Sequence, residues 1–142
     1  MSATKKRILL VGAKGVIGRH VHAALRDQHT VICAGLEQAE NDSDIQLDLS
    51  DCSALVAKLH AIGSLDAAIS TAGRARFGML DGATPAALLD SVYGLGLQDK
   101  LMGQVNLTLA SREILRSGGS ITLTSGTTSS EPVLGAAGLS MV

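Results

Sequence analysis

An apolar run, Ile8-Leu9-Leu10-Val11, is cut off by glycines at every third position, Gly12, Gly15 and Gly18, and apolar residues then resume at helical spacing. Glycine destabilises a strand or helix interior by roughly 0.5–1 kcal/mol relative to alanine. Three of them across one strand–helix boundary therefore answer a backbone requirement. Gly12 lets the chain turn sharply as it leaves the strand. Gly15 lets the backbone approach a bound phosphate, and Gly18 lets the following helix pack closely on the sheet. The first N–H groups of that helix are free and its dipole is positive there, which suits a pyrophosphate. The spacing is G-x-x-G-x-x-G rather than the commoner G-x-G-x-x-G. A glycine-rich strand–helix turn without a ligand is the alternative at this point.

Beyond the turn, short apolar runs alternate with helical patterns. The expected strands are Arg7 to Val11, Thr30 to Ala34, Ile45 to Leu47, Ala67 to Ser70 and Ser120 to Thr124. The first helix is expected over Val16 to Arg26, with Val16, Ile17, Val21, Ala24 and Leu25 on its inner side. A second is expected over Ser50 to Ile62, with Ser50 or Asp51 as N-cap. Thr84-Pro85 is a capping residue followed by proline at a first helical position, and that helical region is expected to run, broken near Gly94 to Gly96, to about Arg116. Such alternation means βαβ units. Right-handed crossovers then give a doubly wound, Rossmann-like α/β fold, a three-layer sandwich with strand order 3-2-1-4-5. Leu9, Val11, Val21, Leu25, Ile32, Ile69 and Ile121 are expected in its core.

At 142 residues the chain is the size of one domain, and at 46% hydrophobic it has a core to bury. With one phenylalanine and one tyrosine that core is aliphatic, which suits a parallel sheet covered on both faces. No apolar run approaches a membrane span, and no apolar signal segment follows the short polar stretch Met1 to Lys6. A net charge of -1 with mixed signs argues against a nucleic-acid binder. Cys33 and Cys52 form no metal spacing and are read as reduced thiols. His20, His22, His29 and His60 share no face or spacing that would hold a metal. These features together lead us to expect a cytoplasmic protein with small-molecule partners.

Three further stretches fall at carboxyl ends of expected strands, where open α/β sheets bind ligands. They are Leu47 to Asp51 (LDLSD), Ser70 to Gly73 (STAG) and Gly118 to Gly126 (GGSITLTSG). With the glycine turn, this set resembles the short-chain dehydrogenase/reductase family, in register over essentially the whole chain. The resemblance implies NAD(H) or NADP(H) as cofactor and a small carbonyl or alcohol as substrate. It implies that Gly12, Lys14, Gly15, Val16 and Ile17 surround the phosphates, that Asp48 accepts from the adenine amino group with Leu49 beside the ring, and that Thr71, Ala72 and Gly73 line the adenosine ribose. Asp48 also stands where an acid would cap the following helix, and STAG reads equally as a small-residue turn. Strand two ends at Gly35-Leu36 with no acid to hold ribose hydroxyls, and Lys14 is placed to meet a 2′-phosphate, so NADP(H) is favoured over NAD(H), against the opposing charge of Glu37.

The departures from that family matter. Its main branch uses serine, tyrosine and lysine, the last two as Y-x-x-x-K. Ser125 falls at or one residue before the serine position. Ala137 and Met141 fall where the tyrosine and lysine belong, and Tyr93 lies far upstream. Lys100 replaces the asparagine of the family's long helix. Lys100 and Ser125 are therefore the candidate catalytic residues, with a solvent-facing helix lysine as the alternative for the former. The family's chains continue past the point where this one ends, so a domain missing its C-terminal part is expected. Leu97, Leu101, Val105 and Leu109 form an apolar stripe on the long helix, the segment through which the family dimerises, and self-association is expected. Three functions compete: an NAD(P)-dependent oxidoreductase with an atypical site, a dinucleotide-binding sensor or regulatory module without turnover, and a fold whose site is vestigial.

Overall fold

The computed structural model describes residues 4–37, 44–79, 84–87 and 89–140, with Val92 described by its backbone alone. Five strands, β1 (Arg7–Val11), β2 (Thr30–Gly35), β3 (Asp44–Gln46), β4 (Leu65–Ser70) and β5 (Leu115–Leu123), form one sheet in the order β3-β2-β1-β4-β5. Every pairing is parallel, and Leu9 on the central strand stands in register with Ile32 on one side and Ala68 on the other. The helices are α1 (Val16–Leu25), α2 (Cys52–Ile62), α3 (Val92–Leu95), α4 (Gly103–Ser111) and α5 (Ala137–Ser140). The step from β1 to β2 runs one way along the sheet, whereas the steps from β3 to β4 and on to β5 run the other. Right-handed crossovers therefore put α1 on one face and α2 with α4 on the opposite face. The expected doubly wound sandwich is the observed fold.

The core lies between the sheet and the α2–α4 layer. Leu9, Val11, Leu55, Leu59, Leu65 and Leu107 are all buried there. Of the seven side chains expected inside, Leu9, Val11 and Ile32 are buried, while Val21, Leu25, Ile69 and Ile121 are only half-buried. The reason is coverage. Ile69 shares a face with its register partner Leu10, and on that face α1 packs on β1 and β2 but not on β4. Ile121 sits on β5, an edge strand.

Element boundaries shift where local pattern met tertiary pairing. The proline start at Pro85 yields only one 3-10 turn, Pro85–Ala87. The long helical region runs as α3, a π-helical segment Gly96–Met102, and α4, and it stops at Ser111 rather than near Arg116. Residues from Leu115 onward join β5 instead, through an irregularity that shifts register between the Leu65–Leu115 and Ala67–Ser120 pairs. Gly118 adopts φ +78 there, and a Cβ on Gly119 would press within 2.8 Å of the Arg116 carbonyl oxygen.

Asp66 secures this irregular edge. Its carboxylate accepts from the Arg7 backbone N–H at 2.7 Å and from Arg116 Nη1 at 2.9 and 3.0 Å. The Arg7 N–H foremost, then the Arg116 guanidinium, hold its pKa below the ordinary carboxylate value. A lowered folded pKa contributes stability that is present above the unfolded value, about 3.9, and lost as pH falls through the folded one. Asp66→Asn is expected to lower the thermal midpoint at pH 7, and the gap from wild type is expected to close below about pH 4. A gap independent of pH in melts across that range would contradict the carboxylate's role.

Candidate functional site

The three glycines of the first turn meet three different demands. Gly12 leaves β1 at φ +85 and donates its N–H to the Ala34 carbonyl at 2.8 Å. A Cβ there would lie 2.7 Å from the Ala72 nitrogen and 2.9 Å from Thr71. Thr71 locks the turn, its hydroxyl donating to the Val11 and Gly12 carbonyls at 3.1 Å each. A Cβ on Gly18 would overlap the Gly12 carbonyl oxygen, so only glycine lets α1 lie this close. Gly15 is different. Its backbone is ordinary, φ -70 and ψ 171, and an added Cβ would meet only the Gly12 carbonyl oxygen, at 3.3 Å. The protein's own packing makes the weakest case for glycine here, at the N-cap of α1, where the first helical N–H groups lack intrahelical acceptors.

A cavity of about 300 Å³ opens beside this turn, within the range of small-molecule sites. Gly12 to Gly15 form one wall, the end of β2 from Cys33 to Glu37 another, and Asp44, Ile45, Ala72 and Arg74 close it. Burial, then the neighbouring Asp44 carboxylate, pushes the Cys33 thiol pKa up, which favours the neutral thiol in this wall. Lys14 Nζ stands 3.6 Å from Glu37 Oε2 across the rim. A Cβ on Gly35 would meet nothing within 4 Å, leaving room at the end of β2.

The residues singled out in the sequence separate into groups. Gly12, Lys14, Gly15 and Ala72 line the cavity. Val16 and Ile17 are exposed at the start of α1. Thr71 is half-buried and spends its hydroxyl on the turn. Asp48 is exposed, and its Oδ1 accepts from the Ser50 N–H at 2.8 Å and the Ser50 hydroxyl at 2.7 Å. Those two bonds lower its pKa and keep it an anion. The helix cap itself is Asp51, which accepts from the Ala54 N–H at 3.0 Å, so Asp48 is not the capping acid. Leu49 departs from expectation: its side chain is in the core, 3.2 Å from where a Cβ on Gly103 would stand, because α4 crosses above it.

Gly73 adopts φ +122 under Lys100, whose Cα, Cβ and Cγ would lie 2.7–2.8 Å from an added Cβ. Lys100 thus runs its stem over the end of β4, in the π-helical segment. Ser125 follows β5. Gln104, one turn beyond Lys100, clasps the residue before Ser125: its Nε2 donates to the Thr124 carbonyl at 3.1 Å and its Oε1 accepts the Thr124 N–H at 2.9 Å. Ala137 opens α5, and Met141 lies outside the described residues. Tyr93 is buried on α3. No metal-holding cluster exists among the described residues.

Several of these features escaped the sequence. Gln104 carries no local signal, since its partner is twenty residues away. The π-helical segment had one, the clustering of Gly94, Gly96 and Gly103 around it. Arg74 and Asp99 also went unnoticed. The Arg74 backbone N–H, Nε and Nη2 donate to the Asp99 carboxylate at 2.6, 3.0 and 3.2 Å, tying the loop after β4 to the π-helical segment.

No family model and no curated protein matches the chain. Solved structures do. The protein lin1944 from Listeria innocua is 30% identical with a TM-score of 0.83, over 96% of this chain and 64% of that one. A small-chain dehydrogenase in complex with NADPH is 25% identical with a TM-score of 0.80, over 96% and 58%. A short-chain dehydrogenase/reductase from Serratia marcescens, 20% identical, shares the fold with a TM-score of 0.74 over 96% and 65%. The chain thus spans about three fifths of the length of these proteins. In fold, the chain is similar to solved short-chain dehydrogenases/reductases.

Proposed function

We propose that the chain binds a nicotinamide dinucleotide across the carboxyl ends of its strands and acts as an NAD(P)-dependent oxidoreductase with an atypical active site. The observation that carries this is the cavity beside Gly15, the one of the three turn glycines that packing requires least, at the free N-terminus of α1. Its donors and open backbone fit a pyrophosphate, and the apolar walls at Cys33, Leu36 and Ile45 fit an adenine. The solved relative that holds NADPH supports the same cofactor class.

When bound, the nicotinamide supplies or accepts the hydride. The residues of this chain do the rest. The α1 terminus holds the phosphates, Asp48 offers an anionic acceptor for the adenine amino group, and Ala72 and Gly73 keep the end of β4 low enough for the ribose. Lys100, whose stem crosses Gly73, would offer its cation to the negative charge developing on substrate oxygen, and Ser125 would offer that oxygen a hydrogen bond. The substrate in this reading is a small carbonyl or alcohol.

NADP(H) is the favoured cofactor. Gly35 offers no acid to the ribose hydroxyls, and Lys14 meets the 2′-phosphate by leaving Glu37. Calorimetric titration of NADPH and NADH tests both levels. Wild type is expected to bind NADPH the more tightly, and Lys14→Ala is expected to lose about tenfold for NADPH with little change for NADH. An undiminished preference in the variant removes the role of Lys14, and no binding of either removes the function.

Self-association belongs to the same proposal. Leu101, Val105 and Leu109 are exposed along the long helix, with Leu97 half-buried behind them. An exposed apolar stripe favours a symmetric pairing of two copies. Light scattering is expected to give the mass of a dimer, and Val105→Lys to shift it toward monomer. A monomer at high concentration contradicts the pairing. Among the described residues no helix is long and apolar enough to cross a membrane, in keeping with the cytoplasmic location we propose.

A further inference from the structure

The cavity beside the glycine turn has two charged lining residues that the proposed function leaves unused, Asp44 and Arg74, and Arg74 is the cation of the two. Arg74 lines it, and Asp99 fixes how. Three N–H groups of Arg74, one from the backbone and two from the guanidinium, converge on that single carboxylate. Asp99 is largely shielded, with its side chain 21% exposed, whereas the Arg74 side chain is 66% exposed. The acid is therefore the anchor, and the guanidinium it orders stays exposed on a residue that lines the cavity. Its Nη1 carries no hydrogen bond among the described residues. Across the cavity the walls at Leu36 and Ile45 are aliphatic. Neither Phe77 nor Tyr93, the only aromatics of the chain, lines it. Among the described lining residues, a flat π-ligand in this cavity thus has one planar cationic partner, the guanidinium.

We propose that Arg74, held by Asp99, is the adenosine-recognising residue of this cleft: it stacks its guanidinium on the adenine and turns Nη1 toward the ribose. This rests on the dinucleotide reading above. A guanidinium stacks on aromatic faces where an ammonium does not, and its rigid fork loses little freedom on binding because the acid already orders it. Asp99 is a positioning residue, acting through Arg74.

Calorimetry on the full chain tests this with two probes, ADP-ribose for the adenosine half and inorganic pyrophosphate for the glycine turn alone. Arg74→Met keeps the stem and removes the plane. It is expected to weaken ADP-ribose about tenfold and leave pyrophosphate unchanged. Arg74→Lys is expected to lose as much as Arg74→Met, because charge without the plane does not stack. Asp99→Asn is expected to cost a few-fold in wild type and nothing further in the Arg74→Met background. That non-additivity distinguishes positioning from a general effect on the fold. Wild-type affinity for ADP-ribose in Arg74→Met overturns the role of Arg74, as does an equal loss for pyrophosphate or full rescue by lysine. Failure of the wild-type chain to bind NADPH, NADH or ADP-ribose overturns the dinucleotide reading itself, and this inference with it.

Discussion

Gly15→Asp is expected to abolish dinucleotide binding, with a loss of at least a hundredfold by calorimetry, while the protein stays folded. Both halves of that expectation come from the same geometry. An added Cβ at Gly15 meets only the Gly12 carbonyl oxygen at 3.3 Å, and the backbone angles there suit any residue. The fold is therefore expected to accept the substitution with a shift of a few tenths of an ångström at the Gly12 carbonyl. An aspartate at the N-cap even accepts hydrogen bonds from the first helical N–H groups. Those are the donors a pyrophosphate needs, so the variant satisfies them internally and sets a like charge against the phosphates. Two unit charges about 4 Å apart near a protein surface repel by roughly 4 kcal/mol, more than enough for the expected loss. Gly18 is the control. A side chain there collides with the Gly12 carbonyl, so Gly18→Val is expected to fail in folding and to show it as a lowered melting temperature. Unchanged affinity in a folded Gly15→Asp protein would reject the glycine turn as the phosphate site.

The second large effect concerns turnover. The chain is expected to reduce ordinary aldehydes and ketones with NADPH only weakly, at rates about a hundred- to ten-thousand-fold below those of an enzyme with a placed general acid. By the resemblance read from the sequence, Ala137 falls where the family's proton-passing tyrosine is expected, and an alanine donates none. The chain's own tyrosine is of no help, since Tyr93 is buried on α3. In the proposed reading, what remains is charge stabilisation by Lys100, whose stem crosses Gly73, and by Ser125 after β5, with the positioning that a bound cofactor would supply. A panel of aldehydes, ketones and quinones followed at the nicotinamide absorbance band is the measurement. Turnover lost in Lys100→Ala or Ser125→Ala would show a site working without the tyrosine. Robust turnover surviving both would show that the chemistry lies elsewhere. No turnover with tight cofactor binding would favour a dinucleotide-binding sensor.

Gln104 bears on the same question. Its amide grips both backbone groups of Thr124 from a position one turn beyond Lys100. It ties the candidate lysine's helix to the segment that ends in the candidate serine. That coupling joins two elements far apart in sequence, and no local pattern announces it.

What the sequence determined by itself is what depends on short-range pattern. The run from Ile8 to Val11 and its three glycines specify a strand, a turn and a helix, because backbone sterics act within a few residues. The alternation of strands and helices, with the right-handedness of crossovers, was then enough for the order β3-β2-β1-β4-β5. The glycine turn and Ala72 fell on the cavity for the same reason. Tertiary structure decided whatever depends on a partner distant in the chain. Leu49 reads as a residue of the cleft but is drawn into the core by α4. Leu115 and Arg116 read as the end of a helix, but Leu115 pairs with Leu65 of β4, whose backbone groups need partners on that side. Ile69 reads as core yet is half-exposed, because no described helix covers that part of the sheet. Nothing local marks Arg74 in the sequence, and only Asp99, twenty-five residues on, orders it beside the cavity. Strands, turns and helices are local events, whereas burial and the pairing of charges are settled only when distant segments meet.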